Sequence, residues 1–302
     1  VIKLKIIKMK IRKTSLVVIG IVSLSVIVFN SCKKDRVPQN DYQNMDSFYD
    51  DNKEAEQEYV IDTPGVCPLT CLKGTRICVS NDMFMFADSS SITYPFILKV
   101  VELYSIKDML LWRMPSIAGG NILETSAEIR VRTFKNGNEL LLKPGKAYYM
   151  ETANISVINN NMQVYFGSTG DWVHSTDTLS VVTDTLSYYR LFVGQMGFVS
   201  AARLHSSSSP NTTITLTVPG TNTQNIQAYL SFRGFKGLMR ITNLASGSVP
   251  VGESVTLVAF GKKQTNDYVL HEQNFSITSN QQVPLSMQVV TSSALLSALA
   301  AL

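Results

Sequence analysis

The chain has 302 residues, of which 45% are hydrophobic and only 17% charged, with 27 Lys and Arg against 23 Asp and Glu; this excludes a disordered chain and leaves ample length to bury a core. Six of the cations (Lys3, Lys5, Lys8, Lys10, Arg12 and Lys13) and none of the acids precede residue 32, so the other 271 residues carry 21 cations against 23 anions, a net of −2. A nucleic-acid partner is not expected, because the basic excess belongs to the N-terminal stretch and not to a folded face.

Behind those cations Leu16 to Phe29 forms a short apolar run, and Asn30-Ser31-Cys32 closes it with small or polar residues, the order of a secretory signal peptide. With Cys32 at the cleavage point and Lys33-Lys34-Asp35 after it, the stretch resembles the lipoprotein signals of the Bacteroidota. The resemblance implies a signal peptide over residues 1–31 and a diacylglyceryl group on the Cys32 thiol. It also implies an outer-membrane protein held to the membrane through that N-terminal lipid, facing the cell surface or the periplasm. The competing reading is an uncleaved transmembrane helix, since Thr14 to Ser31 approaches the roughly 18 apolar residues of a span; Ser15, Gly20, Ser23 and Ser25 thin that run. Both readings place the chain after residue 32 outside the cytoplasm.

Residues 32–66 comprise the lipidated cysteine and a polar, acidic stretch with Asp41, Asp46, Asp50, Asp51, Glu54, Glu56, Glu58 and Asp62. So few aliphatic side chains predict a disordered, flexible tether, with a reach of about 30 Å. Cys67, Cys71 and Cys78 follow. In an oxidising compartment two of the three can form a disulfide, leaving one over; a bridge from Cys78 to Cys67 or Cys71 would staple the end of the tether to the first strand. A structural zinc site would need a fourth ligand, and no further Cys or His lies near. Alternation of Arg76, Cys78 and Ser80 with Ile77 and Val79 predicts a strand whose Cys78 points away from the core.

From Thr75 to Thr152 the pattern is strand after strand. Phe96 to Tyr104 is a β-branched and aromatic run, and Ala127 to Thr133 alternates Ile129 and Val131 with Glu128, Arg130 and Arg132. Asn136-Gly137 supplies a tight hairpin and Pro144-Gly145 a second turn. Val101-Glu102-Leu103-Tyr104-Ser105, Asp108-Met109, Gly120, Leu123-Glu124-Thr125, Ile129, Asn136-Gly137, Leu140 and Gly145-Lys146 together resemble a β-rich module of Bacteroidota lipoproteins that is loosely similar to ZU5 domains. The resemblance implies a β-sandwich over residues 67–153 that serves binding or assembly and not catalysis.

Asn159-Asn160-Asn161 marks a boundary, and residues 154–302 read as a second β-sandwich. Its strands are expected at Met162 to Phe166, Leu179 to Val182, Tyr188 to Val193, Thr212 to Val218, Ala228 to Phe232, Val255 to Phe260 and Tyr268 to Ile277. Leu295, Leu296, Leu299 and Leu302 share a helical face after Ser292 and Ser293, either of which can cap it, and this predicts a short closing C-terminal helix. The fold class is therefore all-β, with two β-sandwich domains after the signal peptide and tether.

No catalytic constellation is legible and no cofactor or metal site is expected: His271-Glu272 lacks the second histidine of a zinc protease helix, Phe275 standing in its place. Two function classes compete. One is a lipid-anchored envelope interaction or structural protein without catalytic activity, serving adhesion, envelope architecture or complex assembly with a protein partner. The other is a glycan-binding surface lipoprotein with Trp112, Trp172, Tyr188 and Tyr189 as stacking platforms. Asp177-Thr178-Leu179 and Asp184-Thr185-Leu186 are similar to the Asp-Thr-aliphatic acceptor used by Bacteroidota, which implies O-glycosylation of Thr178 and Thr185.

Overall fold

The computed structural model describes residues 41–64, 67–155, 157–168, 170–183, 185–218 and 224–302. The signal peptide over residues 1–31 and the lipidation site Cys32 lie outside the described residues. The principal strands in chain order are β1 (Gln57–Ile61), β2 (Leu69–Thr70), β3 (Arg76–Cys78), β4 (Phe96–Leu103), β5 (Asn121–Lys135) and β6 (Tyr148–Glu151). They continue with β7 (Gln163–Ser168), β8 (Asp171–His174), β9 (Thr178–Thr183), β10 (Ser187–Val193) and β11 (Gly197–Leu204). The last are β12 (Gln227–Phe232), β13 (Leu238–Ile241), β14 (Ser254–Lys263), β15 (Tyr268–Ser276) and β16 (Gln288–Val290). Helices are α1 (Asp46–Asn52), α2 (Ile106–Leu111) and α3 (Ser292–Ala300).

A central sheet runs β8-β7-β11-β5-β4-β1, an outer sheet β9-β10-β6-β3-β2, and a C-terminal sheet β13-β12-β14-β15-β16. The central and outer sheets face each other across one core. Leu98, Val100, Ala127, Ile129 and Val131 come from one side, and Ile77, Tyr148, Met150, Tyr189, Leu191 and Val193 from the other. The opposite face of the central sheet, through Leu103, Leu123 and Tyr165, packs on all three helices and on Tyr229, Val258 and Phe260 of the C-terminal sheet. That sheet in turn covers a third core with Leu230, Val255 and Leu257. The architecture is thus all-β and sandwich-like, as expected.

Local chemistry accounts for the turns and caps. Asn136 and Gly137 take the two positive-φ positions (51° and 79°) of the hairpin after β5, the backbone that asparagine and glycine tolerate best. Ser105 and Asp108 form a reciprocal capping box at the start of α2, with Asp108 N donating to Ser105 Oγ at 3.1 Å and Ser105 N to Asp108 Oδ2 at 3.2 Å. In α3 the cap is Thr291, whose hydroxyl accepts from Ala294 N at 3.1 Å, and not the expected Ser292 or Ser293. Leu295 and Leu299, one turn apart, are the buried stripe of that helix.

Two expectations are corrected. The stretch expected to be a tether over 32–66 is folded from Asp41 onward: Tyr42–Gln43 pairs with β14, and β1 pairs with β4. Between them α1 buries Phe48 against Phe260 and Tyr268, and the Tyr49 hydroxyl meets that of Tyr229 at 3.0 Å. Composition pointed the other way because a few aromatic residues outweigh many acids when a remote apolar surface awaits them. The second correction concerns the division at 153/154, which runs through both sheets of the first sandwich. β7, β8 and β11 join β1, β4 and β5 in the central sheet, and β9 and β10 join β2, β3 and β6 in the outer one. A polar loop marks a chain turn, and strand pairing across it is decided by distant partners.

Candidate binding face

β10 alternates strictly: Tyr189, Leu191 and Val193 are buried in the core, while Tyr188, Arg190 and Phe192 point outward. Its neighbours obey the same period, so the outer face of the outer sheet carries rows set by strand register. Cys78, Tyr149, Phe192 and Thr178 stand side by side in one row, and Arg76, Glu151, Arg190 and Ser180 in the next. Tyr188, opposite Val182, begins a third. Phe192 is 47% exposed and its ring centroid lies 5.6 Å from that of Tyr149.

Glu151 holds this surface together. The residue is only 1% exposed although its side chain is on the outer side of the sheet, because the neighbouring side chains fold over it. Oε1 accepts from Arg190 Nε at 3.0 Å and Nη2 at 2.9 Å, the Tyr149 hydroxyl donates to the same oxygen, and Arg76 pairs with Oε2. The Glu151 carboxylate holds the Arg190 guanidinium pKa above its ordinary value. The Arg76 guanidinium lies over the Tyr188 ring at 4.9 Å and that of Arg190 over Tyr149 at 5.2 Å, contacts that favour the charged form and fix the ring planes. Both arginine side chains remain about a third exposed, 34% and 35%. One carboxylate between two guanidiniums leaves the cluster with one net positive charge. A cleft of about 450 Å³ opens beside Tyr188, lined also by Thr70, Lys73, Thr152, Asn154 and Leu186.

Such a surface offers ring faces for a flat or apolar partner and guanidinium N–H groups for its oxygens. The Glu151 carboxylate itself is engaged by Arg190 and Tyr149 on one oxygen and by Arg76 on the other.

A second cleft, of about 480 Å³, lies where a bulge at the Ala201/Ala202 step disturbs the pairing of β5 with β11. Its walls include Tyr104, Phe235, Asn154 and Asn159. The charged groups here satisfy one another: Glu124 is met by Arg203 at 2.6 Å and by His205 Nδ1 at 2.8 Å, while His205 Nε2 reaches Glu253 at 3.1 Å. The Lys236 ammonium donates to Ser126 O at 2.7 Å, and burial pulls its pKa below the ordinary lysine value.

Of the two tryptophans expected as sugar platforms, Trp172 is enclosed and Trp112 is half-buried. Trp172 is 1% exposed and its Nε1 donates to Pro115 O at 2.9 Å, so it is a core residue with its one polar atom satisfied. Trp112, at the C-terminus of α2, lies beneath the Lys53 ammonium at 5.1 Å and the Arg130 guanidinium at 5.7 Å, and its edge meets Phe198. Cys67 pairs with Cys78, and Cys71 is a free, buried thiol whose pKa burial pushes up to about 12. Thr178 and Thr185 are both exposed, Thr178 beside Phe192 on the outer face and Thr185 in the turn after β9. Among the described residues no group of three His, Cys, Asp or Glu is placed to hold a metal ion, and no helix is long and apolar enough to cross a membrane.

Sequence reasoning missed Tyr149, Glu151, Arg190 and Phe192. The signal was present in β10, where Tyr188, Arg190 and Phe192 recur at every second position, the mark of an aromatic strand face turned to water. No family model, no curated protein and no solved structure matches this chain.

Proposed function

We propose that the protein is a non-catalytic interaction protein of the cell envelope, anchored at the outer membrane by lipid on Cys32, that engages its partner through the outer face of the outer sheet. The observation that carries the reading is the pair of rows Cys78-Tyr149-Phe192-Thr178 and Arg76-Glu151-Arg190-Ser180, in which the Phe192 ring is exposed and the two arginines are partly so while their counter-charge is buried. Holding two arginines and two tyrosines in fixed positions lowers the entropy lost when a partner covers them. The order of residues 1–34 supports the anchor.

A second reading, a glycan-binding surface lipoprotein, is favoured by the adjacency of Phe192 and Tyr149, two rings at stacking reach of a sugar with Arg190 alongside. One experiment tests the face and separates the readings. Binding of the full chain to outer-membrane vesicles from its host is measured for wild type and for the double variant Tyr149→Ala, Phe192→Ala, with melting followed in parallel. Loss of binding without loss of folding is expected. Competition by envelope polysaccharide would select the glycan reading and loss on protease treatment of the vesicles the protein one; unchanged binding by the variant would remove this face from the function.

A further inference from the structure

Each of the three principal sheets has two edge strands, and five of these six carry a device that discourages pairing with another chain. β2 and β16 are two and three residues long. β8 has Asp171 and His174 at its ends, β13 carries Arg240, and β1 carries Glu58, which pairs with Lys99 on the adjacent strand. Short length and charge are the usual protections of a sheet edge. The sixth, β9, has none. Its six residues, Thr178-Leu179-Ser180-Val181-Val182-Thr183, include no charge, proline or glycine. Its ladder with β10 runs without a shift from Thr178 opposite Phe192 to Thr183 opposite Ser187. Among the described residues no loop backbone bonds to β9 from its far side, and Leu179 and Val181 are only partly buried against the sandwich core at that open end.

We propose that β9 is a self-pairing edge, through which two copies of the chain join antiparallel about a two-fold axis at Ser180. A regular edge presents every second N–H and C=O outward, a template that only another strand satisfies in full. In antiparallel pairing, residues directly opposite share a face. The axis at Ser180 therefore places Leu179 opposite the second copy's Val181 on the core side, and Thr178 opposite its Val182 on the outer side. Every such pair joins side chains suited to a sheet, and no like charges meet. A foreign strand would ordinarily be selected by charge or by a pocket, and this edge has no charge to select with. One contact covers the half-buried Leu179 and Val181 of both copies at once. Two outer sheets become one continuous sheet, and the aromatic and arginine rows of both copies lie on the same face. Six residues a side bury less than the roughly 1,200 Å² of a permanent complex, so the pairing is reversible and set by concentration.

The test uses oxidative cross-linking of the full chain in its native envelope. Ser180→Cys stands at the axis, and Thr217→Cys, on an exposed strand elsewhere, is the control. A cross-linked dimer with Ser180→Cys and none with Thr217→Cys is expected. Adding Thr178→Lys and Val182→Lys, which face each other across the axis, should abolish the dimer, and Thr178→Glu with Val182→Lys should restore it. No dimer from Ser180→Cys, a dimer indifferent to the lysine pair, or cross-linking to a different protein in place of a second copy would each overturn the proposal.

Discussion

The central and outer sheets each bury a glutamate that strand alternation assigns to a wet face, and they treat it in opposite ways. In β5, Glu128 is wholly enclosed beneath α2, with one hydrogen bond at 3.1 Å from the Ser116 hydroxyl and no partner on Oε2. Burial alone raises its pKa well above the ordinary 4.5, against a smaller opposing effect of Ser116 and Lys236. In β6, Glu151 is as inaccessible yet lies between Arg76 and Arg190 with Tyr149 donating to it. Glu128 is enclosed with a single hydroxyl donor in reach, which favours its neutral form, whereas the open face of the outer sheet lets long cationic side chains fold over Glu151 and keep their stems in contact with the rings. Only the second arrangement leaves charged groups at the surface for a partner.

The largest test of this contrast is the pair of positions that look alike in composition and differ in placement. Trp172→Ala removes a fully buried indole from beneath α2 and should cost about 3–5 kcal/mol in chemical denaturation, while Phe192→Ala, on the open face, should stay within roughly 1 kcal/mol. Comparable losses would mean that the open face is packed against something.

Glu151→Ala is expected to cost about 1–3 kcal/mol, less than a fully buried ion pair broken on one side. Arg76 and Arg190 are a third exposed and reach water once their partner is gone. The same variant should release Tyr188 from its fixed ring plane, seen as narrowing of its aromatic chemical-shift dispersion.

The most gradual effect concerns pH. Because the folded state holds the Glu128 proton to higher pH than the unfolded chain does, stability from this group is complete below the ordinary carboxylate range. It declines as pH rises through the ordinary value toward the raised one, at no more than about 1.4 kcal/mol per pH unit. Glu128→Gln keeps the shape without the proton equilibrium and should flatten urea midpoints between pH 5 and pH 8; an unaltered slope would show that the carboxyl is ionised in place.

Much of the strand inventory was legible in the residues themselves. The runs at Phe96 to Tyr104, Tyr188 to Val193 and Val255 to Phe260 all became strands within a few residues of their expected ends. Several strands escaped, β1, β8, β11 and β13 among them. β11 contains Gly197 and a run of small residues, Ser200-Ala201-Ala202, that carries little β-branched signal, and β13 is four residues with Gly237 just before it. The candidate face was half legible: β10 displays its outward aromatics, but Arg76 and Glu151 lie 75 positions apart in the sequence and meet only because β3 and β6 pair.

What the sequence by itself determined is whatever depends on neighbours a few positions away: the all-β class from period-two alternation, the Asn136-Gly137 hairpin from positive φ, the Ser105 to Asp108 cap from reach. Only the tertiary structure decided which strands share a sheet, that Cys78 bonds to Cys67, that Trp172 is interior, and that Phe48 and Tyr49 draw an acidic segment into the fold. These are contests between distant surfaces for burial, and their outcome depends on which apolar face lies within reach once the sheets have formed, a quantity that no local pattern contains.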